Sequence, residues 1–147
     1  MAFSGNFMCT SFKVALLNGE MDFSSDTSQT FKIALYTSSA TLNASTTAYS
    51  TTNEISGTGY TAGGNTLTIS TNPTNATSGT VAFLSFSDST WASSTLTARG
   101  ALIYKSGGTN PSIAVLDFGA DKSSSSSTFK VEFPTHPNTP NLSLIHI

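Results

Sequence analysis

Phe31-Lys32-Ile33-Ala34-Leu35-Tyr36 sets the reading of this chain. Phe31, Ile33 and Leu35 fall on one face of an extended segment whose aromatic and branched residues suit a pleated, half-buried surface. Related patterns recur on both sides of it. Residues 80–86 carry Val81, Phe83, Leu84 and Phe86 on both faces and read as a buried strand. Residues 96–104 and 112–118 flank the turn Lys105-Ser106-Gly107-Gly108-Thr109-Asn110-Pro111 and read as a hairpin. Thr128-Phe129-Lys130-Val131-Glu132-Phe133 alternates cleanly and stops at Pro134. Residues 65–71 add a strand, and Glu54-Ile55-Ser56 a short one.

The intervening stretches read as loops. Residues 38–50 are ambiguous in pattern, with Leu42 and Tyr49 as anchors, whereas residues 72–79 form a turn, residues 88–94 hold Trp91 in an exposed loop, and the serine run 123–127 is a loop within the domain. One helix is predicted, over residues 6–18. Phe7, Met8, Phe12, Ala15, Leu16 and Leu17 recur there at helical spacing, Asn6 stands at the N-cap and Gly19 closes the end. A helix this short is marginal alone, so it must dock on a sheet. No fixed-period repeat appears, which argues against a solenoid. About seven strands and one short N-terminal helix predict a mainly β fold, an antiparallel β-sandwich or flattened barrel, in one domain over residues 1–134.

At 147 residues the chain is long enough to bury roughly 68% of its unfolded surface without staples. Charged residues are only 10% and the net charge is −2, so the basic footprint that nucleic acid requires is missing. Ten Phe, four Tyr and one Trp exclude disorder by composition. Ser and Thr make up about a third of the chain, well above ordinary usage. A surface of hydroxyls carries little charge repulsion and tolerates close approach by copies of itself. The lone Cys9 offers neither an intramolecular disulfide nor a zinc quartet and reads as a small buried hydrophobe. The start, Met1-Ala2-Phe3-Ser4-Gly5-Asn6, lacks a basic and apolar leader. The longest apolar run, Val14-Ala15-Leu16-Leu17, falls far short of a membrane span. Synthesis in the cytoplasm and no membrane partner are expected.

The chemical motifs reduce to structural ones. Asp117-Phe118-Gly119 has none of the companions of a kinase and reads as a strand end with Asp117 at the surface or pairing locally. The glycines of residues 57–64 are misspaced for a dinucleotide loop and precede a strand, so they supply positive φ around a turn that Tyr60 anchors. A serine nucleophile needs a neighbouring base, and both histidines, His136 and His146, sit in the atypical tail. The eight acids are scattered; a carboxylate pair, or a calcium site from Asp117 and Asp121, would need the fold to gather them. The sequons at Asn43, Asn75 and Asn141 match chance in a chain this rich in Ser and Thr. No catalytic residue, metal ligand or cofactor is expected. Trp91 and Tyr60 are candidate glycan contacts or sandwich-closing aromatics.

Five stretches together resemble a known group. They are Cys9-Thr10-Ser11-Phe12-Lys13, Phe31-Lys32-Ile33-Ala34-Leu35-Tyr36-Thr37-Ser38, Glu54-Ile55-Ser56-Gly57-Thr58-Gly59-Tyr60-Thr61-Ala62-Gly63-Gly64, Thr97-Ala98-Arg99-Gly100-Ala101-Leu102-Ile103-Tyr104 and Val115-Leu116-Asp117-Phe118-Gly119-Ala120-Asp121. Over residues 7–135 the chain resembles a family of small β-rich proteins of tailed bacteriophages and marine viral metagenomes. The resemblance implies a non-enzymatic virion structural protein, concretely a capsid decoration or cement protein bound to the major capsid protein or other virion proteins. It also implies a homo-oligomer, with a trimer suited to three-fold lattice positions, although no stretch of the chain marks a trimer interface. The alternative is a tail or fibre module that binds host surface glycan. Phe7 and Phe12 on the helix and the loop residue Trp91 are the expected assembly contacts.

Residues 135–147 depart from this pattern. They hold two of the five prolines, and the ending Leu142-Ser143-Leu144-Ile145-His146-Ile147 reads as run-through of a sequencing adaptor. On that reading a last strand is missing and one sheet edge stands unpaired.

Overall fold

The computed structural model of the protein describes residues 3–75 and 82–134. The tail 135–147 with its histidines, Thr80 and Val81 of the expected buried strand, and part of the turn expected over 72–79 lie outside the described residues. In chain order the elements are β1 (Phe7–Met8), α1 (Thr10–Leu17), β2 (Thr30–Tyr36), β3 (Asn65–Leu67), β4 (Ile69–Asn75), β5 (Ala82–Phe86), β6 (Ser89–Ser106) and β7 (Ser112–Val131). A five-stranded antiparallel sheet has the order β1-β7-β6-β2-β3, and β4 pairs with β5 in a second, two-stranded sheet. The fold is mainly β and sandwich-like, as the periodicity predicts, and does not close into a barrel.

β2 lies inside the larger sheet, and both of its faces are covered. Phe31 stacks on Phe23 with ring centroids 4.5 Å apart, while Tyr36 on the opposite face donates to the Ser50 carbonyl at 2.6 Å. Phe86 of β5 joins the two sheets, its ring 6.5, 6.2 and 5.9 Å from Phe23, Phe31 and Phe133. These aromatic pairs add directional contact to the area they bury. The expected single strand over 65–71 is two. Leu67 pairs with Phe31 in one sheet and Ile69 with Phe86 in the other, so the chain changes sheets at Thr68.

The N-terminal expectation is half corrected. Phe7 and Met8 are extended and pair with Val115 and Ala114, leaving a helix of eight residues. Asn6 does not cap it; its Oδ1 instead accepts the Asp117 N–H at 2.7 Å. The far end is as expected. Gly19 has φ 73°, its N–H bonds to the Leu16 carbonyl and the Glu20 N–H bonds to the Ala15 carbonyl, the paired bonds of a Schellman ending. Cys9 is buried, and burial pushes its thiol up.

Two expected loops are strand. Residues 89–94 of the expected 88–94 loop belong to β6 and the serine run 123–127 lies within β7, because the surplus residues are absorbed as bulges. Ser93 and Ser126 take φ 49° and 47° there. Hydroxyls hold the two strands together: Ser94 Oγ lies 2.8 Å from Ser124 Oγ, and Thr97 Oγ1 lies 2.8 Å from Ser123 Oγ. Among the described residues no helix is long and apolar enough to cross a membrane.

Candidate functional site

The sheet has two edges, and they are finished in opposite ways. β3 covers β2 only as far as Ile33, which pairs with Asn65. Beyond that point the segment 53–60 takes over. The Ile55 N–H donates to the Leu35 carbonyl at 3.0 Å, the Thr37 N–H to the Asn53 carbonyl at 3.0 Å, and the Leu35 N–H to the Tyr60 hydroxyl at 2.9 Å. Tyr60 passes the chain on by donating to Glu54 Oε1 at 2.7 Å. Glu54 also accepts from the Tyr49 hydroxyl at 2.6 Å and the Gly63 N–H at 2.7 Å. The Tyr104 hydroxyl donates to the Gly63 carbonyl at 2.8 Å, and its ring stacks on Tyr49 at 4.6 Å.

All four tyrosines of the chain therefore meet around one carboxylate. Burial first, and then the Glu54 charge, pushes the hydroxyls of Tyr36, Tyr49, Tyr60 and Tyr104 upward. Gly64, at φ 69°, lets the turn lie against β2, and a Cβ built there would overlap the Ile33 carbonyl. The chemistry of this cluster is that of a clasp. Its donors and acceptors are turned on one another and on the backbone, and they hold residues 49–64 on the sheet.

The other edge belongs to β7. β1 covers Ala114 and Val115, the Cys9 N–H reaches the Ile113 carbonyl, and Asn6 takes the Asp117 N–H. The Asp117 carboxylate accepts the Gly119 N–H at 2.8 Å and binds Arg99 Nε at 3.0 Å, which holds its carboxyl below the usual range. From Ala120 to Val131 no strand pairs with the outer side of β7 among the described residues. A groove of about 680 Å³ opens along this edge. Phe7, Met8, Leu116 and Phe118, all half-buried, form its apolar side. Its charged rim is Lys122, Lys130 and Glu132. Lys130 Nζ lies 2.9 Å from Asp88 and 2.8 Å from Glu132. Hydrogen bonding to those two carboxylates holds its ammonium above the ordinary lysine range.

The expected contact residues are dispersed. Phe12 is fully buried against Phe23, 6.1 Å between rings, and presents nothing for assembly. Trp91 is 4% exposed, in β6 and not in an exposed loop, packed on Tyr60 and Phe129. Tyr60 and Trp91 do meet, with centroids 6.1 Å apart, but the tyrosine hydroxyl is turned into the clasp. Only Phe7 of the four lines the groove, and it does so from a strand. Asp117 is taken up by Arg99, and no three His, Cys, Asp or Glu residues gather among the described residues. Asp88 and Glu132 do approach one another, but in solvent, with Lys130 between them. Nothing in the spacing of Glu54 from Tyr49, Tyr60 and Tyr104 marks a common site in the sequence.

No protein-family model matches the chain, and no curated protein or solved structure is similar enough to match it.

Proposed function

We propose that this protein is a non-enzymatic virion structural protein of the tailed-phage type, most concretely a capsid decoration or cement protein. The observation that carries the reading is the outer side of β7, which no strand covers beyond β1 among the described residues, beside a groove with an apolar side, a surface suited to another protein. The sequence resemblance supplies the viral setting. A domain with few charges and a hydroxyl-rich exterior is presented in many copies at low electrostatic cost, and a symmetric lattice turns weak contacts into firm attachment through avidity. The major capsid protein is the expected partner.

Cosedimentation with expanded, empty phage heads that lack the protein tests this. Saturable binding in a fixed ratio to the capsid subunit is expected, weakened by Phe7→Ser at unchanged folding. Binding to host surface polysaccharide, with none to heads, would replace this reading with the tail or fibre module. Absence of both would overturn it.

A further inference from the structure

We infer that the groove on β7 receives a single extended peptide segment of a partner protein, apolar at alternate residues and carrying an acidic side chain where it passes Lys122. The inference rests on the assembly reading above and names the kind of segment the partner presents.

Both halves of β7 line the groove. Residues 114–118, with Phe7 and Met8 of β1, stand on one side, and residues 128–131 on the other. The strand bends between them, and its register against β6 shows where. Gly100 pairs with Asp117 and Ala98 with Lys122, so five steps along β7 match two along β6. Gly119, at φ 78°, lies in that surplus. Phe118 and Phe129 meet across the bend with ring centroids 6.4 Å apart.

The two sides offer different things. Residues 129–131 pair with residues 89–91 of β6 and, among the described residues, with no strand on their outer side. Alternate residues there turn backbone N–H and C=O groups away from β6, and an added strand bonds to such groups. The opposite side is a wall of half-buried Phe7, Met8, Leu116 and Phe118. A guest held between an edge and a wall must be one strand with no sheet behind it. That excludes β7 of a second copy, which comes with β6 attached. A lone extended chain fits, because its backbone meets the edge while one set of alternate side chains meets the wall.

Charge places the acid. Lys122 lines the groove and has no ion pair among the described residues. Lys130, by contrast, lies between Asp88 and Glu132, which leaves that end with one negative charge in excess. An acidic side chain on the guest finds its counter-charge at Lys122 and is repelled at the other end.

Selection of displayed random peptides on the full chain tests the proposal. The pool retained should alternate apolar with polar residues, avoid proline and carry Asp or Glu. The same selection on Lys122→Glu should lose the acid and favour Lys or Arg. A peptide from the first pool should bind Lys122→Glu roughly tenfold more weakly. Methylation of its backbone amides should abolish binding, and amide exchange of residues 128–131 should slow in its presence. Lys122 is exposed, so thermal unfolding of the variant should match the unmodified chain. No retained pool, a pool without charge preference, or a pool unchanged by Lys122→Glu each overturns the proposal. Head binding that the selected peptide does not displace would sink this inference and leave the proposed function standing. Peptide binding by a protein that ignores heads would do the reverse.

Discussion

The two edges of the five-stranded sheet solve one problem with different means. At the β2 edge a loop returns to the strand and supplies backbone partners, and where geometry leaves the Leu35 N–H over, a tyrosine hydroxyl takes it. At the β7 edge, two residues of β1 and two side-chain oxygens finish the first few positions, and among the described residues no further strand covers the rest. Closing the first edge took four aromatic side chains, one carboxylate and a left-handed glycine turn. The second is blunted by bulges, serines and lysines, the usual devices against indiscriminate pairing. A closed edge is hard to alter without unfolding. An open one is easy to alter, and that suits a contact surface.

The strongest way to break this contrast is at Gly64. Its φ of 69° already disfavours any side chain, and an added Cβ would overlap the Ile33 carbonyl of the strand it packs on. Gly64→Ala should cost about 3 kcal/mol or more in urea unfolding. A loss below about 1 kcal/mol would mean that the turn 61–64 can move off β2 freely, and that the closed edge is not rigid.

A pH titration sharpens the same contrast. Folding raises the hydroxyl pKa of all four tyrosines, so the native state keeps protons that the unfolded chain releases from about pH 10 upward. The stability from this source is full below the unfolded pKa and drains away as pH rises toward the folded values. Absorbance at 295 nm should show almost no tyrosinate until the protein unfolds, with all four appearing together. Glu54→Gln removes the nearby charge that helps hold them neutral, and should cost about 2 kcal/mol at neutral pH through its charge-assisted bonds. It should also flatten the alkaline decline. Independent titration of one tyrosine in the native state would show the clasp to be open.

The same comparison explains what could be read in the sequence. Periodicity found the sheet-forming segments around Phe31, Leu102, Val115 and Phe129, because side-chain alternation against a core is a local property. Gly19 and the 57–64 turn were legible for the same reason, since positive φ belongs to the residue itself. The serine run 123–127 reads as a loop because polar, small residues favour turns by propensity. Hydroxyl pairing with Ser94 and Thr97 overrode that preference, and the partners lie about thirty residues away in the chain. The same propensity assigns Trp91 to a loop, where the structure has strand β6. The Glu54 cluster was illegible in principle, because a hydrogen-bonded centre assembled from positions 36, 49, 54, 60 and 104 has no period.

The mildest test falls on the open edge. Lys122 makes no ion pair among the described residues, and its side chain stands in solvent at the groove rim. A substitution there removes no buried contact and leaves no buried partner unpaired. Lys122→Ala should therefore change stability by less than about 0.5 kcal/mol in urea unfolding. A loss of more than about 1 kcal/mol would mean that Lys122 supports the fold itself, and that the β7 edge is, like the other, part of the scaffold.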